Sequence, residues 1–250
     1  MEPMSQTPRP AARSFVTGRP WAGNIRSGRA PAMIYSDIRA QILSLERLPG
    51  EPVLESRIAS AYGVSRTPAR EAILKLAGEG LIEIFPQSGT FVARIPLAAL
   101  PEAMVIRKSL EETSARFAAQ RASRSQVIAI GAILQRQREA EIVGDRDGFH
   151  SADEAFHAAI ADAGGYPGIW KLVQQVKVHL DRYRRLTLPQ EGRMARVIAE
   201  HSAILTRIEA ADESGAGAAM AVHLDGLVAD ISDIRRLNPD YFAEAKSAFV

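Results

Sequence analysis

Two groups of residues in this chain have the types and spacing to do chemistry. The first lies in Gly63-Val64-Ser65-Arg66-Thr67-Pro68-Ala69-Arg70-Glu71. Arg66 and Arg70 are four apart, so on a helix both guanidinium groups leave one face. A guanidinium forks onto guanine O6 and N7, discriminating by about 1–3 kcal/mol per good pair. The hydroxyls of Ser65 and Thr67, beside the N–H groups of a helix start, suit phosphate oxygens. The plain alternative is a solvated helix face. The second group is Asp153, His157, His201 and His223. Asp153 and His157 again share a helical face, and the two later histidines sit in largely apolar helical stretches. One carboxylate and three imidazoles from three helices would hold a divalent cation and leave coordination positions open. Oxygen and nitrogen donors without sulfur suit zinc, nickel or manganese. The plain alternative here is a set of hydrogen-bonded core histidines.

Around the first group, Ile34, Ile38, Ile42 and Leu45 recur at helical spacing, and Leu48-Pro49-Gly50-Glu51-Pro52 carries turn chemistry. A short helix is predicted over 55–62, stopped by Gly63 in the left-handed conformation. Ser65 then caps a helix over 66–79, whose apolar face is Ala69, Ala72, Ile73 and Leu76. Two β-rich runs, 81–85 and 90–94, flank a turn with Gly89, which lets backbone approach a groove or the sugar-phosphate edge. Three helices and a hairpin make a winged helix-turn-helix. After Pro96 the pattern is helical. Helices are expected over 98–122, 124–143, 146–163, 167–187, 191–211 and 214–236, with no convincing strand, as a six-helix antiparallel bundle. The fold class is mainly α. Domains are expected as a disordered basic arm over 1–32, the winged domain over 33–95, the helical effector and metal domain over 96–237, and a tail over 238–250.

Composition closes off other classes. The chain has 250 residues and no cysteine, which excludes a disulfide framework, thiolate zinc fingers and Cys nucleophiles and fits a reducing compartment such as the cytoplasm. No apolar run is long enough for a membrane span, and the N-terminal stretch has no apolar core of a secretory signal. Basic excess is confined to the start, where residues 1–33 hold five arginines against one glutamate. The winged region carries equal numbers of basic and acidic side chains, so DNA contact there is argued from placement rather than from charge.

The run Leu48-Pro49-Gly50-Glu51, Leu54-Glu55, Ile58-Ala59, Gly63-Val64-Ser65-Arg66-Thr67-Pro68, Arg70-Glu71-Ala72, Leu76, Glu79-Gly80-Leu81-Ile82 and Gly89-Thr90-Phe91-Val92 closely resembles the DNA-binding domain of the GntR family of bacterial transcriptional regulators. The resemblance implies a homodimer on a palindromic operator in double-stranded DNA, read by the recognition helix and the wing. Members often carry a basic residue directly after the acidic residue that opens the second helix. Here that place is Ser56, with Arg57 next: either Arg57 takes over that contact or the contact is lost. Residues 98–236 resemble the FCD effector-binding domain of the FadR-type branch. There Asp153, His157, His201 and His223 match the metal-binding positions. Where members commonly have Asn before the proline after His157, this chain has Tyr166 before Pro167, which touches the local helix cap or pocket wall. His150 and His179 match no ligand position and are read as structural. Arg107, with Leu110 and Glu111, resembles the first-helix pattern of that domain. It either binds an effector carboxylate or makes a surface salt bridge to Glu111. One residue of the cluster Arg182, Tyr183, Arg184 and Arg185 is a further pocket candidate.

The sequence therefore predicts a DNA-binding regulator, a repressor, controlled by a small organic acid at a metal-containing pocket, with a hinge at Ile95-Pro96-Leu97. The alternative is a metal-dependent hydrolase or lyase using the Asp/His site. That alternative leaves Arg66 and Arg70 unexplained, and no acid or base stands out beside the ligands.

Overall fold

The computed structural model describes residues 29–187, 190–226 and 239–243. The basic arm lies almost entirely outside the described residues, as does the second half of the helix expected over 214–236.

Helix α1 (Ala30–Leu43) opens with Pro31 in its first turn, where a missing N–H costs nothing. It begins a few residues before the expected start and stops short of the Pro49-Gly50 turn, with Leu45 at φ +61°. Helix α2 (Glu55–Tyr62) ends at Gly63, whose φ of +64° is the left-handed conformation expected there. Helix α3 (Arg66–Gly78) follows. Strands β1 (Ile82–Phe85) and β2 (Gly89–Val92) pair antiparallel, with Ile82 opposite Val92 and Phe85 opposite Gly89. Ile34, Ile38 and Ile42 meet Ala69, Ala72, Ile73 and Leu76 in one buried cluster with Leu81, Ile82 and Val92. The core of the winged domain is thus built from the apolar positions that periodicity marks.

Strand β3 (Ile95–Pro96) and a 3-10 turn, Leu97–Ala99, lead into the bundle. Its helices are α4 (Leu100–Arg121), α5 (Arg124–Val143), α6 (Arg146–Ala163), α7 (Pro167–Val176), α8 (Val178–Thr187), α9 (Arg193–Glu209) and α10 (Glu213–Asp225). Local signals set several starts. Ser123 and Gln126 form a reciprocal capping box on α5. Asp145 caps α6 at Gly148 N–H, and Asp212 caps α10 at Gly215 N–H. At Gly164 a Cβ would stand 3.0 Å from Phe117 Cβ and 3.1 Å from Ser114 O, so only glycine lets α6 end this close to α4.

Two expectations are corrected. The bundle has seven helices among the described residues rather than six, because the stretch 167–187 breaks at Lys177. The apolar face changes direction there. Trp170 and Val173 pack with Ala161 within the bundle, whereas Val178 joins the core of the winged domain. The region after Pro96 also contains a strand. β4 (Phe242–Ala243) pairs parallel with β3, matching Ile95 to Phe242, so residues 239–243 hold the domain junction rather than only capping the bundle.

Candidate functional site

The residues expected to touch DNA are all exposed in the winged domain. Ser65, Arg66, Thr67 and Arg70 are exposed on the first turns of α3, opposite buried Ala69 and Ile73. Arg57 is exposed on α2 beside exposed Ser56, and Gly89 is exposed at the wing tip with φ +119°. The expected capping bond of Ser65 is absent: its backbone is extended as a cap requires, but the hydroxyl makes no bond to the helix N–H groups. On the far side of α3, Glu79 is held by Arg39 at 2.8 Å and by the Tyr35 hydroxyl, tying the helix end to α1. Burial, then Glu79, pushes the Tyr35 pKa up to about 12.

Asp153, His157, His201 and His223 are all buried, and each offers a ligand atom within 4.8 Å of the others. Helix α6 supplies the first two, α9 the third and α10 the fourth. Each imidazole is held from behind through Nδ1. Gln137 Oε1 faces His201 Nδ1 at 2.8 Å, Glu200 faces His223 Nδ1 at 2.8 Å, and the Glu111 carboxylate stands against His157 Nδ1. An ionised carboxylate or an amide oxygen only accepts, so toward such a partner Nδ1 carries the proton and Nε2 keeps a lone pair. The Nε2 atoms of His201 and His223 then face each other at 3.3 Å. Two bare lone pairs at that distance repel unless a cation lies between them. His157 Nε2 and Asp153 Oδ2 are likewise buried without a hydrogen-bond partner.

The electrostatics keep these groups in their ligating forms. Burial, together with the charge of the neighbouring histidine, holds His201 and His223 well below the usual imidazole range, so both stay neutral. Burial alone would raise Asp153, but the Arg184 guanidinium at 2.6 Å holds its carboxyl well below the usual range. Phe156 stacks on His201 at 4.1 Å and Trp170 lies parallel to His157 at 5.9 Å, excluding water from the flanks.

Other expectations are refined. Arg107 is 1% exposed, so its pair with Glu111 is not a surface bridge. Arg107 Nε donates to Glu111 at 2.5 Å while Nη2 is buried without a partner. Glu111 in turn stands against His157, and Gln137 and Glu200 stand against His201 and His223, three contacts that the ligand spacing does not mark. The only sequence signal for them is a polar residue on an otherwise buried helix face. Tyr166 makes no cap bond; its ring packs on Phe117 at 4.9 Å and under Arg121 at 4.9 Å. His150 stands near Glu154 and Asp181 in a second polar group, whose carboxylates already share the Lys177 ammonium at 2.6 and 2.5 Å. His179 stands with Nε2 3.4 Å from where a Gly80 side chain would begin.

Residues 31–92 match the family described as bacterial regulatory proteins, gntR family, and residues 102–226 match the FCD domain. An HTH-type transcriptional regulator in an unstable DNA locus of Streptomyces ambofaciens is 35% identical over 210 residues, covering 84% of this chain and 88% of that protein. The HTH-type transcriptional repressor RspR of Escherichia coli K12 is 30% identical over 84% of this chain and 92% of its own length. Among solved structures, E. coli McbR/YncC superposes with a TM-score of 0.70 at 19% identity, covering 83% of this chain and 98% of that one. A GntR-type regulator from Rhodococcus sp. RHA1 gives 0.69 at 23% identity, covering 83% and 99%; these two likenesses speak to fold. Two family matches in series, on a winged domain followed by a helical bundle, place this chain in the gntR family of bacterial regulatory proteins, with an FCD domain, as a DNA-binding transcriptional regulator.

Proposed function

We propose that this regulator is a repressor that binds a palindromic operator as a homodimer, and that a small carboxylate bound at a divalent cation in the bundle sets its operator affinity. The observation that carries the reading is the convergence of three imidazoles and one carboxylate, all buried, with ligand atoms within 4.8 Å of one another. Asp153, His157, His201 and His223 would hold the ion; zinc suits the set, and nickel or manganese also fit. When bound, the ion supplies open coordination positions for a carboxylate oxygen. The chain's own residues do the rest. Glu111, Gln137 and Glu200 hold the imidazoles in the ligating tautomer. Arg107 has a buried donor, Nη2, left over from its pair with Glu111, and its charge is felt at His223. It is placed to take the second oxygen of the carboxylate.

In the winged domain, Arg66 and Arg70 read base edges. Ser65, Thr67 and Arg57 contact backbone, and Gly89 lets the wing approach a groove. RspR, a relative of similar length, is named a repressor, which supports that sign of control. No helix among the described residues is long and apolar enough to cross a membrane, in keeping with a partner that is chromosomal DNA in the cytoplasm. For the effector to act, it must bind one arrangement of the two winged domains more tightly than the other.

The test uses a duplex selected from a random pool by the full chain, with zinc and a panel of small carboxylates. At least one carboxylate is expected to change duplex affinity by about 5-fold or more, only with zinc present and not in His223→Ala. Carboxylates that shift the melting of the chain yet leave duplex affinity and dimer geometry unchanged would contradict the reading.

A further inference from the structure

The reading above requires a path from the bundle to the winged domain, and α8 has the geometry of one. From Lys177 to Arg184 every residue except His179 is almost wholly buried. Three faces of this helix serve three different neighbours. Val178 and Arg182, four apart, face the winged domain: Val178 lies in its hydrophobic core, and Arg182 Nη2 donates to the Ala93 carbonyl at 2.5 Å. His179 beside them stands against Gly80, the turn that closes recognition helix α3. Leu180 and Tyr183 lie in the bundle core. Lys177, Asp181 and Arg184 form the third face. There Arg184 holds Asp153 Oδ1 at 2.6 Å, leaving Oδ2 for a cation. Arg182 and Arg184 are two apart, about 200° around a helix, so they point to opposite neighbours.

The junction they reach has little slack. Ala93 is held by Arg182, Arg94 Nε donates to the Asp240 carbonyl at 3.1 Å, and Ile95 pairs with Phe242. These contacts bracket the hinge that the sequence suggests at 95–97. Packed interiors shift between discrete arrangements rather than deforming smoothly. A displacement of α8 at Arg184 must therefore move Val178 and Arg182 as well.

We propose that α8 transmits occupancy of the Asp153/His157/His201/His223 site to the winged domain, with Arg184 as the positioning residue at the site and Arg182 as the grip on the domain junction. The proposal rests on the metal-site reading, and its test separates the two. Zinc affinity of the full chain is measured by competition with a chromophoric chelator, and affinity for the selected duplex is measured with and without zinc. Arg184→Gln is expected to weaken zinc binding by about 10–100-fold, the usual loss when an outer-shell partner of a ligand is removed; Arg184→Lys loses less. Arg182→Met is expected to keep wild-type zinc affinity. Its zinc-dependent change in duplex affinity, typically about 5–150-fold for coupled sites, should collapse toward none. Val178→Ala trims the same face more gently and is expected to reduce that change, which covers the case in which Arg182→Met does not fold. Wild-type zinc binding in Arg184→Gln, or a wild-type zinc response in both Arg182→Met and Val178→Ala, overturns the proposal. A wild-type chain that binds zinc but shows no change in duplex affinity overturns this proposal alone, whereas a wild-type chain that binds no zinc overturns the metal-site reading.

Discussion

Arginine is put to opposite uses in the two domains. In the winged domain Arg66 and Arg70 stand exposed at a helix start, available to a partner outside the chain. In the bundle Arg107, Arg182 and Arg184 are 1%, 0% and 5% exposed, and each is committed to an internal acceptor: Glu111, the Ala93 carbonyl and Asp153. In the proposed reading the same guanidinium would probe DNA in one place, and it is a strut in the other. Burial decides which, because a buried cation must be paired while an exposed one is free to find a ligand.

That contrast can be broken by mutation. In the metal-free chain, Arg107→Met leaves the buried Glu111 carboxylate without its cation, with only the His157 imidazole beside it, and is expected to cost about 3–5 kcal/mol of stability in urea unfolding. Adding Glu111→Leu should restore most of it, because the uncompensated charge is then gone. Equal stability of Arg107→Met and wild type would mean that the pair is solvated. Arg66→Ala and Arg70→Ala should behave in the opposite way. Each is expected to weaken binding to the selected duplex by about 1–3 kcal/mol and to leave stability within about 0.5 kcal/mol. A loss of stability with unchanged duplex affinity would place those arginines on the structural side of the comparison.

The domains also differ in how much of them can be read from the chain. The winged domain is legible because its contacts are short-range. Ile34, Ile38 and Ile42 mark one helix face, Gly63 and Ser65 mark a turn, and the hairpin follows within a few residues. The four candidate ligands were legible as residue types, but their convergence joins positions from 153 to 223, a distance that periodicity does not reach. Glu111 was legible only as a partner for Arg107, and Gln137 and Glu200 were not legible at all, since a polar residue on a helix gives no sign of what it faces. The break at Lys177 was hidden for a related reason. The helical pattern continues through it, and only the change of neighbour from bundle to winged domain turns the chain. The pairing of Ile95 with Phe242 spans nearly the whole second domain and leaves no local trace.

Two smaller effects sharpen the comparison at the domain boundary and the surface. Burial, with help from Arg182, lowers the His179 pKa to about 4. The unfolded chain therefore takes up the proton first, and stability is full above the unfolded value near 6.5 and falls as pH drops toward 4. Between pH 7 and pH 5 a loss of about 1–2 kcal/mol is expected from this residue. His179→Gln should flatten the pH profile by that amount in parallel urea titrations. Lys108 pairs with Asp225 at 2.7 Å, but both are substantially solvated. Lys108→Ala is expected to cost less than about 1 kcal/mol, well under the loss for Arg107→Met.

The central claim is that one divalent ion is shared by Asp153, His157, His201 and His223. Metal stoichiometry of the full chain after zinc loading and desalting, compared with that of His201→Ala and His223→Ala, tests it most directly. The account predicts one tightly held ion per chain in the wild type and its loss from both variants. Wild-type stoichiometry retained in either variant, or no ion held by the wild type, would contradict it.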